Sequence, residues 1–330
     1  MNTFNWLVKR EYWEHRGGFL WTPFWITSAV LILSILGIVW SEVFGRRVGT
    51  HVSFGIPWDQ LSAQISSGDL VQAGQGLDVV YLMFNVLTCV ALFFVLFFYL
   101  LGALYDDRKD RSVLFWKSLP ISDTATVLSK VVTAAVVAPL IAFVIATVAY
   151  AGFLLVVSIW AALHGINPLP VIANSNPFGL FWRLLLTIPV DAMWALPALG
   201  WLLLCSAFAR SKPFLWAILV PIVTIVLNGW IGAMGLPHFD NKFLSSEVAG
   251  RVIFSIIPGS WLGDKDVLRQ IGQMADSSSD PDITNLLTAF HPSTTYHVFT
   301  MPEMWIGIAA GALMIAAAIW MRRRRIESSV

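Results

Sequence analysis

Long apolar runs separated by short charged breaks dominate this chain. The runs are Phe19–Trp40, Val79–Leu104, Thr124–Trp160, Phe178–Phe208, Phe214–Leu236 and Glu303–Met321. A helix needs roughly 20 mostly apolar residues to cross a bilayer, and the first run, with 22 residues, would reach about 33 Å. That run is too long for the core of a secretory signal and no small-residue cleavage site follows it, so it reads as a retained first span. The third run is longer than one crossing requires, so its helix must tilt or protrude, and Pro139 is placed to kink it. Pro189, Pro197 and Pro221 should kink or locally unwind the fourth and fifth runs. The pattern predicts an all-α integral membrane protein of six transmembrane helices, forming one transmembrane domain over residues 1–330.

Between the runs, residues 41–78 are rich in Gly, Ser and Gln, and residues 237–302 form the longest break. Both read as external loops. Within the second, Gly250–Gly263 is apolar but too short to span, and Pro258-Gly259 interrupts it. It is either a re-entrant or interfacial segment or an apolar helix folded against the external ends of the spans.

Composition narrows the class. Hydrophobic residues make up 57% of the chain and charged ones 12%, against about 25% charged in a typical soluble domain. A soluble enzyme, a nucleic-acid-binding module and a disordered chain are thereby excluded. Cys89 and Cys205 both sit inside apolar runs and read as small core residues rather than a disulfide framework.

The net charge of +1 conceals a polarised molecule. If the N-terminus is cytoplasmic, the inside segments hold Lys9, Arg10, Arg16, Arg108, Lys109, Arg111, Lys117, Lys130, Arg210, Lys212 and Arg322 through Arg325. These are 14 of the 21 basic residues, against seven acids, a balance of +7. The remainder of the chain carries −6. The positive-inside rule then puts both termini on the cytoplasmic side of a plasma (inner) membrane.

Catalytic patterns are missing. The sequence has no H-E-x-x-H zinc helix, no G-x-S-x-G elbow and no G-x-x-x-x-G-K-[ST] phosphate loop. His291 and His297 stand six apart across a proline, poor ligand geometry for one helix. Asp276, Asp280 and Asp282 superficially suggest calcium but lack the Gly and terminal Glu of a calcium loop. No catalytic, cofactor or metal residue is therefore nominated, and energised transport would need an ATPase on another chain.

The most informative polar segment is DDRKDRSVLFWKSLPISDTATVLSK, Asp106–Lys130. Charges of both signs alternate through Asp107, Arg108, Asp110 and Arg111. An apolar patch of Val113, Leu114, Phe115, Trp116 and Leu119 follows, then Pro120 as a stop. Ser122 or Asp123 is placed to cap the next helix, and Lys130, two turns inside it, to extend back to the headgroups. This predicts a short amphipathic helix at the membrane surface, tied to a span. The charge cluster, the Leu-Phe-Trp core and Ser118-Leu119-Pro120-Ile121-Ser122 with downstream Lys130 resemble type-2 ABC exporter permeases. The stretch LVKREYWEHRGGFLW, Leu7–Trp21, likewise resembles that family's amphipathic interface helix.

The resemblance implies a transmembrane permease subunit that couples ATP hydrolysis by a separate ABC ATPase subunit to substrate movement. The coupling helix would be carried by Asp107, Arg108, Asp110, Arg111, Leu114, Phe115, Trp116, Leu119 and Pro120. ATP and Mg would be bound by the partner ATPase, and two permease units, as a homodimer or heterodimer, would pair among membrane lipids. The other classes left open are a membrane-embedded hydrolase and a non-transporting scaffold or sensor of an ABC-like complex.

Three polar side chains interrupt the spans. Asp191 lies near mid-depth of the fourth, where an ionised carboxylate is costly, and either lines a substrate or proton path or is a structural group bonded to a neighbouring helix. Asn85 and Asn228 are weaker members of the same possible intramembrane polar site and read first as helix–helix hydrogen bonds. Arg322–Arg325 reads as a stop-transfer signal, with anionic lipid as a second role.

Overall fold

The structure is a computed structural model that describes residues 3–48, 67–110, 121–165, 167–241, 243–275 and 289–327. Among these residues every regular element is helical. Helix α1 (Thr3–Glu14) precedes α2 (Thr22–Val48), and α3 (Ser67–Ala103) is followed by the short α4 (Tyr105–Lys109). Next come α5 (Asp123–Val132), α6 (Ala138–Leu163), α7 (Leu169–Asn174), α8 (Pro177–Trp194), α9 (Leu196–Phe208) and α10 (Pro213–Ala233). Then α11 (Arg251–Phe254), α12 (Lys265–Ala275) and α13 (Pro292–His297) lead to α14 (Pro302–Glu327).

Five helical stretches are long and apolar enough to cross a membrane: Gly17–Trp40, Leu70–Lys109, Asp123–Leu163, Pro213–Ala233 and Pro302–Arg324. The pair α8 and α9 meets the same requirement only when taken together, across a bend of 47°. The run over 178–208 is thus broken, as expected for the prolines within it, at the junction before Pro197. Pro197, just past the junction, has no N–H to continue the ladder, and its ring conflicts with the carbonyl four residues back. Trp201 Nε1 then donates to the Ala217 carbonyl at 3.1 Å, stapling α9 to α10 across the tight reversal between them.

Pro139 does not sharply kink the third run. A π turn over Thr133–Val137 opens the backbone before it, and the Ala138 N–H bonds back to the Thr133 carbonyl. The same device precedes Pro23, where Gly17–Trp21 is a π turn closed by the Thr22 N–H on the Gly17 carbonyl. In both places widening the helix by one residue makes room for the proline ring.

The segment 41–78 is also less loop-like than its composition suggests. Helix α2 runs on to Val48 and α3 begins at Ser67, while 49–66 lies outside the described residues. The extension of α3 is held by α7 and the start of α8. Both Asp78 carboxylate oxygens accept from the Asn176 N–H at 3.1 Å. Gly74 admits the close approach, since a Cβ there would fall 2.6 Å from the Asn174 carbonyl.

Three apolar clusters hold the helices. Leu96, Leu100, Val127, Leu199, Leu202 and Ala318 centre the first, where α3, α5, α9 and α14 meet. Tyr81, Phe84, Phe143, Tyr150 and Leu184 join α3, α6 and α8 in the second. The third places Trp261, Val267, Val298 and Met304 against Val190 and Trp194, so the described parts of 237–302 pack onto the bundle.

The tightest helix pair is α9 with α14, and glycine makes it possible. A Cβ on Gly311 would lie 2.5 Å from the Leu196 carbonyl, and one on Gly200 2.6 Å from the Gly311 oxygen. Small residues at this spacing let backbones touch, the main source of attraction where lipid removes the hydrophobic drive. Gly311→Leu should therefore destabilise the detergent-solubilised protein by about 3 kcal/mol or more. Gly37→Leu, at a position facing open space, should leave thermal unfolding unchanged. Equal melting of the two variants would refute the assigned crossing.

Candidate functional site

At the end of the bundle that carries α1 and the last turns of α14, six charges of alternating sign form a continuous chain. It begins on α1, whose face built by Leu7 and Glu11, one helical turn apart, is turned inward and buried. Glu11 is fully buried, a costly position for a carboxylate, and every nearby group answers it. Arg10 Nη2 donates to Oε1 at 2.6 Å, Tyr99 Oη donates to Oε2 at 3.0 Å, and Lys130 Nζ reaches Oε2 at 3.2 Å. His15 stands over the same Tyr99 ring, 4.7 Å between centroids. Burial pushes the Glu11 carboxyl up, but the Lys130 and Arg10 charges and hydrogen bonds outweigh it and hold it below its ordinary value.

Lys130 then turns to a second acid, with Nζ 3.9 Å from Asp107 Oδ2. Arg322 closes the chain, placing Nη1 3.0 Å from the same Asp107 oxygen and Nε 3.1 Å from Asp123 Oδ1. Three bases face three acids, which joins α1, the end of α3 and α4, the start of α5 and the end of α14. Two expectations change here. Lys130 is buried against Glu11 instead of extending to headgroups, because a carboxylate taken out of water is the stronger attractor. Arg322 is likewise buried in the network and does not share a surface role with Arg323 and Arg324.

A second tie secures the same end. Arg108 donates Nη2 to the Ser206 and Ala209 carbonyls, the latter at 3.1 Å, so a cation sits on the C-terminal end of α9 where the helix dipole favours it. Ser206 Oγ accepts from the N–H groups of Leu104 and Tyr105 at 2.9 and 3.0 Å and donates to the Leu101 carbonyl at 2.8 Å. On the other flank Ser122, as expected, caps α5 by accepting from the Ala125 N–H at 3.1 Å. Asp107, Arg108 and Asp123 therefore anchor the chain on both sides of residues 111–120, and Asp110 is exposed. Arg111, Leu114, Phe115, Trp116, Leu119 and Pro120 lie outside the described residues.

The intramembrane candidates are separated rather than gathered. Asp191, next to the α8–α9 break, accepts from the Gly259 N–H at 2.8 Å and from Trp261 Nε1 at 2.9 Å. Its carboxylate thus pins the turn between α11 and the 3₁₀ turn at Ser260–Gly263. That turn is neither a crossing nor a detached loop. Ile256 joins the first core cluster, and Phe254 stacks on Phe93 of α3 at 6.0 Å. Beside it a cavity of about 230 Å³ is lined by Trp194, Arg251, Ser255, Ser260 and Lys265. The Arg251 guanidinium lies 3.9 Å from the Trp194 ring centroid.

Asn85 donates to the Tyr81 carbonyl of its own helix at 3.0 Å. Asn228 ties α10 to the chain that follows it, donating to the Phe239 carbonyl at 2.9 Å and Asn241 Oδ1 at 2.7 Å. These local bonds replace the helix–helix bonds expected from sequence.

The residue that sequence reasoning missed is Glu11. Its spacing from Leu7 placed it on the inward face of an amphipathic helix, the one signal available. Its partner, 119 positions away, left no local trace. No protein family, characterised protein or solved structure matches the chain.

Removing one member of a buried pair leaves the other uncompensated, a loss of about 3 kcal/mol. Glu11→Leu and Lys130→Met should each lower thermal stability by about that much, and the two combined by clearly less than the two losses together. Additive losses would dissolve the pair. The pH dependence has a defined sign. Because the folded carboxyl is held below its ordinary 4.5, its contribution is present above that value and lost as pH falls through the lower, folded one. The stability gap between wild type and Glu11→Gln should be widest near neutrality and narrow below about pH 4.5; a gap independent of pH would contradict it.

Proposed function

We propose that this chain is the membrane permease subunit of an ABC transporter, working in the export direction with a separate ATPase subunit. The observation that carries the reading is the ionic chain of Arg10, Glu11, Lys130, Asp107, Arg322 and Asp123 at the two roots of residues 111–120. A segment that receives mechanical work from a partner needs anchored roots, and here Asp107 and Asp123 share Arg322 of α14, while Asp107 is linked through Lys130 of α5 to Glu11 of α1.

In this reading the broken pair α8 and α9 counts as one span, giving six. Positive-inside asymmetry orients both termini to the cytoplasm of the inner membrane, the side on which ATP is found. The ATPase contacts Asp110, Arg111, Leu114, Phe115, Trp116, Leu119 and Pro120. Asp107 and Arg108 act from behind by bracing the segment. ATP and Mg belong to the ATPase. A second permease copy, identical or homologous, completes the pathway.

Coupling follows from differential affinity. Nucleotide shifts the permease pair between inward-open and outward-open or collapsed states only if the ATPase binds the 107–119 segment differently in its two nucleotide states. The network converts displacement of that short segment into joint movement of α1 and of spans two, three and six.

Co-expression with a candidate ABC ATPase, sought first in the neighbouring reading frames, tests the reading. Phe115→Ala and Trp116→Ala should reduce its recovery on the purified permease at least tenfold while membrane insertion is retained. Lys130→Met should leave recovery nearly intact but cut permease-stimulated ATP hydrolysis. Wild-type recovery with both aromatic variants, or the absence of any associated ATPase, would overturn the assignment.

A further inference from the structure

Helix α1 turns Leu7 and Glu11 inward, and its outward face carries a different pattern. Trp6, Lys9 and Trp13 recur at i, i+3 and i+7, which at 100° per residue places the three within about 60° of one another, and Arg16, just past the helix end, lies against the Trp13 ring. All four are exposed, Trp6 at 51% and Trp13 at 54%. Each indole carries the next base on its ring: Lys9 Nζ is 4.9 Å from the Trp6 centroid and the Arg16 guanidinium carbon 5.7 Å from that of Trp13. No acid interrupts the stripe. Glu14 lies off to one side, within 3.8 Å of Arg10.

We infer that this stripe is a binding site for the headgroups of acidic phospholipids. Two observations select lipid over a soluble partner. The stripe runs directly into the exposed aromatic base of the first crossing helix, where Trp21 stacks on Trp25 at 6.4 Å and meets Phe24 at 5.8 Å. A surface that grades from Trp–cation pairs into a lipid-facing aromatic belt matches the headgroup layer, where indoles concentrate. Both bases also lie within cation–π distance of their rings, which keeps them near indole depth instead of reaching into bulk water. Two positive charges without an intervening acid favour a net-negative headgroup over a zwitterionic one. The opposite end of the chain repeats the unit, with Arg324 4.5 Å from the exposed Trp320 ring. In this arrangement the lipid holds the outer face of α1 while Glu11 holds the inner one. The site goes beyond the permease reading and stands whether or not an ATPase docks.

The test is native mass spectrometry of the purified full chain, equilibrated with equal amounts of phosphatidylglycerol and phosphatidylcholine. Wild type should retain phosphatidylglycerol preferentially. That preference should fall about fivefold for Lys9→Gln or Arg16→Gln and about 25-fold for the pair, and rising salt should weaken it in wild type. Trp6→Leu with Trp13→Leu, which keeps the apolar bulk, should lower it as well. Arg210→Gln, an exposed base outside the stripe, should change it less than twofold. The site is overturned if the Lys9 and Arg16 variants retain lipid as wild type does, or if Arg210→Gln costs as much as they do. It is overturned too if the same variants lose an associated ATPase while lipid retention is unchanged.

Discussion

The buried carboxylate of Glu11 is the constraint from which the rest of this molecule's polar architecture follows. A charge with no access to water is tolerated only when its surroundings replace hydration, and here Arg10, Tyr99 and Lys130 do so together. Lys130 is itself buried, so it transmits the demand to Asp107, and Arg322 passes it on to Asp123. The six members come from four elements, α1, α4, α5 and α14. Four segments distant in sequence are consequently held by one neutral chain of charges that cannot lose a member without stranding its neighbours. Such an arrangement adds little net stability compared with an apolar core. What it contributes is definition of where each helix ends relative to the others.

Asp191 meets the same physical problem with a different solution. Its carboxylate is answered by neutral donors, the Gly259 N–H and the Trp261 indole, both from the segment between α10 and α14. Irregular backbone near membrane depth is admissible where protein surrounds it and satisfies its polar groups. The Asp191 side chain does part of that work at the point where α8 and α9 part. The two acids thereby organise different levels of the bundle, one through opposite charge and one through directed hydrogen bonds. Glycines 200 and 311 complete the frame between them by letting α9 and α14 come into backbone contact.

Two mechanical consequences bear on function. The roots of residues 111–120 are anchored by ion pairs and, at the α9 terminus, by Arg108 and Ser206. The α1 helix is gripped on its inner face by those same ion pairs and presents bases and indoles on its outer face.

The helical, membrane-crossing character of this protein was legible in the sequence because it depends on local quantities: the length of apolar runs, the position of prolines and the placement of Ser122 as a cap. Run lengths alone delimited most of the crossing helices, and the polarised charge suggested an orientation. Local quantities also erred in recognisable ways. Pro139 is preceded by a π turn where a kink was expected, whereas the break beside Pro197 is the one its position foretold. The polar stretch before Val79 proved helical because Asn174 and Asn176 pack against Gly74 and Asp78. What only the tertiary structure decided is the pairing of charges. Glu11, Lys130 and Arg322 look, one at a time, like surface residues of a membrane protein. Their burial follows from which helices become neighbours, and electrostatic pairing depends on distance in space, which positions 119 apart in the chain do not encode.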